Sequence, residues 1–120
     1  MAFERPRRPS DAPALGAVSA ITLAELATGV KLAGEPATRR RRQETLAFAR
    51  RFDPLPFDDR CADAFAEIAH AIRASGGRVR QFDAAIAATA LANDIPVFTQ
   101  DKDDFGLMDR VVNELKVVFV

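Results

Sequence analysis

Twelve consecutive residues near the middle of the chain constrain the rest most strongly: Gln81-Phe82-Asp83-Ala84-Ala85-Ile86-Ala87-Ala88-Thr89-Ala90-Leu91-Ala92. They read as a small-residue helix carrying one acid, Asp83, at its start. After the turn pair Asn93-Asp94, the stretch Ile95-Pro96-Val97-Phe98-Thr99 reads as a short buried strand, and a second acid, Asp101, follows at its end. In open α/β sheets the site lies outside the carboxyl ends of the strands, so Asp83 and Asp101 can meet at one rim. A carboxylate in the first turn of a helix faces the positive end of the helix dipole, which favours its ionised form. The same residue also suits a plain N-terminal cap.

At 120 residues the chain is expected to form one domain. Hydrophobic residues make up 48% and charged residues 28%, which excludes a disordered chain. No run approaches the roughly 18 apolar residues of a membrane span, and the first eight residues lack the apolar core of a signal peptide. A cytoplasmic location is the expectation. Cys61 has no second cysteine to pair with and reads as a small buried hydrophobe. His70 falls off the stripe formed by Cys61, Phe65, Ile68 and Ile72, toward solvent.

Formal net charge is zero but unevenly spread: residues 1–51 hold ten Lys or Arg against five acids. Such a basic half beside an acidic half suits an acidic site working on a polyanion.

Residues 1–14, with Pro6, Pro9 and Pro13, read as an Arg- and Pro-rich arm, since neither helix nor ladder runs through such prolines. Residues 15–120 form the expected domain. Residues 15–21 read as a short strand ending at Thr22. Thr22-Leu23-Ala24-Glu25 has the spacing of a capping box, opening a helix to about Leu32. Glu25 therefore suits either a cap or a metal-ligating carboxylate at the strand-to-helix rim. A second helix is expected from Pro36 to about Phe52. Its run Arg39-Arg40-Arg41-Arg42 suits a solvated face or a phosphate-contacting surface. Residues 53–57 read as a rigid extended connector, and Asp58 or Asp59 as the cap of a helix from Arg60 to Ala74, terminated by Gly76-Gly77. Arg78-Val79-Arg80 is a basic bridge into the central helix. Residues 101–105 read as an acidic loop and residues 117–120 as a final strand. Apolar strands separated by helices imply a parallel sheet covered on both faces.

The acids at these rims are Glu25, Asp83, Asp101 and Asp104. Oxygen ligands without His or Cys select Mg²⁺ or Mn²⁺ over zinc, and a divalent cation is the usual way that clustered carboxylates stay ionised. Metal-assisted phosphodiester hydrolysis fits such a set.

Three segments carry a resemblance to a known family: Val18-Ser19-Ala20-Ile21-Thr22-Leu23-Ala24-Glu25-Leu26-Ala27-Thr28-Gly29, Asp83-Ala84-Ala85-Ile86-Ala87-Ala88-Thr89-Ala90 and Phe98-Thr99-Gln100-Asp101-Lys102-Asp103-Asp104-Phe105. In order and spacing they resemble the successive motifs of PIN-domain toxins of the VapC type, from about Leu15 to Val120. The resemblance implies a PIN-like three-layer α/β/α fold with a mostly parallel sheet. It also implies a Mg²⁺-dependent ribonuclease acting on RNA, the toxin of a type II toxin–antitoxin pair, forming a homodimer and inhibited by a VapB-like antitoxin. By position, Glu25 matches the acid of the second motif and Asp83 that of the third. Asp101 matches the position after the last inner strand, and Asp104 the acid before the closing Phe. These give Glu25, Asp83 and Asp101 as catalytic residues, with Asp104 as a further metal ligand.

The sequence departs from the family at its beginning. The family's first strand ends in a metal-binding Asp, and no such strand is legible here; Asp11, between Pro9 and Pro13, does not replace it. Two expectations follow: a true start upstream of Met1, or an inactive PIN remnant that binds an antitoxin or RNA without cleaving.

Overall fold

The computed structural model describes residues 17–99 and 102–119, the side chain of Asp104 excepted. The arm expected over residues 1–14 and the candidate ligand Asp101 lie outside the described residues.

Strand β1 (Val18–Ser19) runs directly into helix α1 (Ala20–Leu32). Ser19 is the cap: its Oγ accepts the Thr22 N–H at 2.9 Å. The two hydroxyls also lie 2.9 Å apart, which satisfies both in a buried setting. This corrects the expected capping box. Ser caps at least as well as Thr, so the helix begins two residues before Thr22, and Thr22 itself occupies the third helical position. Glu25 consequently lies beyond the capping turn.

Helix α2 (Pro36–Ala49) begins with proline, whose missing N–H is one that a first helical residue leaves unsatisfied in any case. It stops short of the expected Phe52. There the chain turns back, and Phe52 packs edge-on against Phe48 with ring centroids 5.6 Å apart. The segment expected to be only a connector contains strand β2 (Pro54–Leu55), paired in parallel with β1 through Val18↔Pro54 and Ser19↔Leu55. A proline is tolerable there because edge strands and strand starts need not donate.

Helix α3 (Asp59–Ala74) is capped by Asp58, whose carboxylate accepts the Cys61 N–H at 3.1 Å. Cys61, Ile68 and Ile72 of the expected stripe are buried and His70 is exposed, but the fourth buried residue is Ala64, while Phe65 is half-buried against the core. The helix ends in a Schellman motif. Gly76 N–H reaches Arg73 O at 3.0 Å and Gly77 N–H reaches Ile72 O at 2.9 Å, with Gly76 at φ 85° where a side chain would strain the backbone.

Helix α4 (Gln81–Ala92) has the bounds expected of it, and every residue from Ala84 to Ala90 is buried. A helix apolar on all sides belongs inside a core. Its one hydroxyl in that stretch, on Thr89, donates to Ala85 O at 2.9 Å. The end is a second Schellman motif, with Asp94 N–H on Leu91 O and Ile95 N–H on Ala90 O, and Asp94 at φ 51°. Strand β3 (Val97–Thr99), helix α5 (Lys102–Val111) and strand β4 (Val117–Phe119) complete the chain. Residues 102–105 are thus the first turn of α5 rather than a loop. Acids at a helix start are favoured by its dipole, and Phe105 and Met108 anchor the new helix in the core.

β3 and β4 pair in parallel from Val97↔Val117 to Thr99↔Phe119. The parallel α/β arrangement is therefore as expected, but it comes as two two-stranded sheets, and among the described residues no strand joins β1–β2 to β3–β4. The main core lies among α3, α4, α5 and β3, around Ile68, Ile72, Ala87, Val97, Phe105 and Met108. A smaller cluster holds the α1–α2 pair, where Leu23, Leu26, Phe48 and Phe52 pack on Val18 and Ala49.

Candidate active site

Asp83 is the third residue of α4 and the acid of its first turn. It is half-buried, while the residue after it begins the fully buried stretch, so the carboxylate stands where the core helix emerges. Arg80 is the cap residue; it accepts the Ala84 N–H at 2.8 Å through its carbonyl and contributes no side-chain cap. The amide dipoles of α4 then face Asp83 and stabilise its charge.

Glu25 is exposed on α1, in the second turn. α1 packs against α4, and α4 also touches β1, so the strand-to-helix junction that leads to Glu25 and the helix that carries Asp83 belong to one neighbourhood. β3 ends at the buried Thr99, two residues before Asp101. The backbone of Asp104 falls in the first turn of α5. The expected meeting of Asp83 with Asp101, and the side chain of Asp104, lie outside the described residues. Among the described residues no three His, Cys, Asp or Glu side chains gather closely enough to hold an ion.

A cavity of about 190 Å³ opens beside these elements, lined by Ile72, Arg78, Arg80, Asp103, Leu107 and Met108. The sequence pattern marks Arg78-Val79-Arg80 only as a basic bridge and residues 101–105 as a loop, whereas Asp103 stands in the first turn of α5. Helical spacing of Phe105, Met108 and Val112 was the available signal for α5, and it would have put Asp103 at a helix start.

The arginine run has a structural use that neither of its expected readings contained. Arg39 Nη2 donates to Ala33 O at 2.9 Å and Arg42 Nη1 to Gly29 O at 2.7 Å. Two of the four guanidiniums thereby satisfy carbonyls at the end of α1, where positive charge is favoured. Cys61 is buried, with its thiol toward Pro56 O at 3.5 Å. Among the described residues no helix is long and apolar enough to cross a membrane.

Parallel strand pairs joined through helices, with an acid at the start of a buried helix following an acid on the first, define a class of α/β domain, and residues 7–111 match the sequence model of the PIN domain. The chain belongs to the PIN domain family. Its relatives include Ribonuclease VapC4 of Mycobacterium tuberculosis, 41% identical over 92 residues that span 77% of this chain and 71% of the relative. Ribonuclease VapC5 of the same organism is 41% identical over 93 residues, 78% of this chain and 68% of that one. Among solved structures, VapBC-5 of Mycobacterium tuberculosis, a member of the VapBC family of toxin–antitoxin systems, superposes with a TM-score of 0.79 at 38% identity. The superposition covers 87% of this chain and 81% of that one.

Proposed function

We propose that the chain is the toxin of a type II toxin–antitoxin pair, a divalent-metal-dependent ribonuclease that hydrolyses RNA phosphodiester bonds, held in check by a VapB-like antitoxin and working as a homodimer. The observation that carries this reading is the placement of Asp83, half-buried at the start of a helix whose next seven residues are all buried. An acid fixed so rigidly, facing the helix dipole, is a ligand that moves little when a cation arrives. The relatives named as ribonucleases, and the toxin–antitoxin assembly that this fold resembles, support the same reading.

In this proposal Asp83, Glu25, Asp101 and Asp104 hold a Mg²⁺ or Mn²⁺ ion. The donor chemistry fits, since carboxylates without imidazole or thiolate suit hard cations. When bound, the ion supplies Lewis-acid polarisation of a phosphoryl oxygen and a water of lowered pKa. The protein's own part is to keep the carboxylates ionised and oriented, and to bring basic side chains to the phosphates alongside.

The test is cleavage of single-stranded RNA by the chain with Mg²⁺, with chelator as control. Asp83→Asn keeps the shape of the side chain and removes its charge. It is expected to reduce cleavage by more than about 100-fold, since even the outer hydrogen-bond partners of metal ligands are worth roughly 10–100-fold. Cleavage left intact in that variant would remove Asp83 from the site.

One observation favours the second reading, a binding remnant: the division of the sheet into two pairs among the described residues. A remnant would bind antitoxin or RNA but show no Mg²⁺-dependent turnover at any concentration of enzyme, so the same assay separates the two.

A further inference from the structure

The cavity between the end of α3, the segment leading into α4, and α5 is built of two unlike halves. Ile72 and Met108 are buried at 3% and 2% exposure, and with the half-buried Leu107 they make an apolar wall. Arg78, Arg80 and Asp103 are exposed and stand at its polar side. The close packing of Gly77 fixes this joint: a Cβ there would come within 2.5 Å of Leu107 Cδ2. The position of the cavity is equally telling. Arg80 precedes Asp83 by three residues on the cap of α4, and Asp103 stands between Asp101 and Asp104 at the start of α5. Whatever enters the cavity lies at the starts of α4 and α5, beside the turn that carries Asp83.

At about 190 Å³ the space is smaller than the roughly 300 Å³ at which sites for larger organic ligands begin. It suits one flat ring system with part of its backbone outside. Leu107, half-buried, with Ile72 and Met108 packed behind it, gives an apolar wall for one face of a base, and unpaired RNA bases are held by such contacts together with hydrogen bonds to their edges. The guanidiniums suit the adjoining phosphates.

We infer that this cavity is a base-recognition subsite of the nuclease proposed above, and that Asp103 selects guanine in single-stranded RNA next to the scissile phosphate. The inference rests on that nuclease reading for the meaning of the neighbouring acids. The choice of base follows from donor and acceptor geometry. An ionised carboxylate only accepts hydrogen bonds, through two oxygens side by side. On its Watson–Crick edge guanine alone offers two adjacent donors, the ring N1–H and the 2-amino group. Adenine and cytosine each place an acceptor nitrogen beside their amino group, and uracil flanks its single N–H with two carbonyls; all three set a lone pair against the carboxylate. Asp103 is thus a specificity-determining residue, and Arg78 and Arg80 hold the strand without reading it.

Fluorescence anisotropy in metal-free buffer tests this on the full chain. The probes are a short oligouridylate with one central guanosine and the same strand with inosine, which lacks only the 2-amino group. The guanosine strand is expected to bind on the order of tenfold tighter, the discrimination typical of a two-point base contact. Asp103→Ala, which removes both acceptor oxygens, should bring the two strands level, whereas Arg78→Ala should weaken both alike and keep their ratio. Equal binding of the two strands by the parent chain, or a guanosine preference that survives in Asp103→Ala, would overturn the inference. Because binding is read without metal, the two proposals fail separately. Guanosine preference without any Mg²⁺-dependent cleavage retires the nuclease reading, and cleavage without that preference retires the subsite.

Discussion

At the scale of single residues, Asp58 is a group whose ionisation the fold perturbs. The Cys61 thiol and the Cys61 N–H beside it hold its carboxyl below the usual range, with the Arg60 guanidinium 3.5 Å away adding to the effect and desolvation opposing it. A folded pKa below the unfolded value of about 3.9 means that the stabilisation is complete at neutral pH and is lost as pH falls through the folded value. Asp58→Ala should therefore lower Tm at pH 7, and the gap to the parent chain should close as the melts are repeated toward about pH 3. A gap that stays constant with pH would mean that the charge is irrelevant to the cap. A cap at Asp58 or Asp59 was legible in the sequence because a cap needs only a short acid ahead of a periodic stripe, and the fold uses Asp58. Ser19 was not, since the branched residue Ile21 after it imitated a strand and drew the expected helix start forward to Thr22. Glu25 changed its meaning with that shift: a residue outside the capping turn is no longer explained as a cap. Asp101 and Asp104 follow from the sequence as acids at the rim after a strand and from the motif resemblance; Asp101 and the side chain of Asp104 lie outside the described residues.

At the scale of elements, the joint of α3, α4 and α5 depends on Gly77. A methyl group there would meet Leu107 Cδ2 at 2.5 Å, Ile72 Cγ2 at 3.1 Å and Ile72 O at 3.2 Å. Backbone cannot yield as a leucine tip can, so Gly77→Ala is expected to destabilise the fold by about 1–3 kcal/mol, the usual consequence of overpacking. Urea unfolding measures this; a midpoint equal to that of the parent would show that Leu107 rotates away without loss. Helix α4 was legible to the residue because small apolar side chains are bounded on one side by Gly76-Gly77 and Arg78-Val79-Arg80 and on the other by Asn93-Asp94. Helix α5 was hidden because its first turn is acidic, a composition that serves a loop and a helix start equally well. β2 was hidden for a different reason. Two residues that include a proline carry no periodicity, and the parallel partner that makes them a strand lies 36 residues earlier, at Val18↔Pro54.

At the scale of the whole molecule, the described strands form two separate pairs, and among the described residues α3 against α4 is the broadest contact, with the α1–α2 pair resting on its own small cluster. A cation bound by acids on α1, on α4 and past β3 would tie these parts together. By mass action, Mg²⁺ at a hundred times its dissociation constant stabilises the native state by about 2.7 kcal/mol. Thermal melts are thus expected to rise with Mg²⁺ and to stop responding in Asp83→Asn. An equal rise in both chains would assign the effect to ionic strength. The parallel α/β character was legible from apolar strands alternating with helices. The pairing of the described strands as β1–β2 and β3–β4 was not, because strand order is a property of the assembled chain and no single stretch of sequence states it.

The burial of α4 on every side has one more consequence. With seven successive residues enclosed, no face is left on which a bulkier or charged side chain can be accommodated. Over generations of copying error, α2 can exchange many of its exposed residues at little cost, whereas the enclosed stretch of α4 must keep side chains close to their present volume. Asp83 stands at the mouth of that enclosed stretch, so the acid on which the proposed chemistry rests adjoins the part of the helix that has the fewest ways to change.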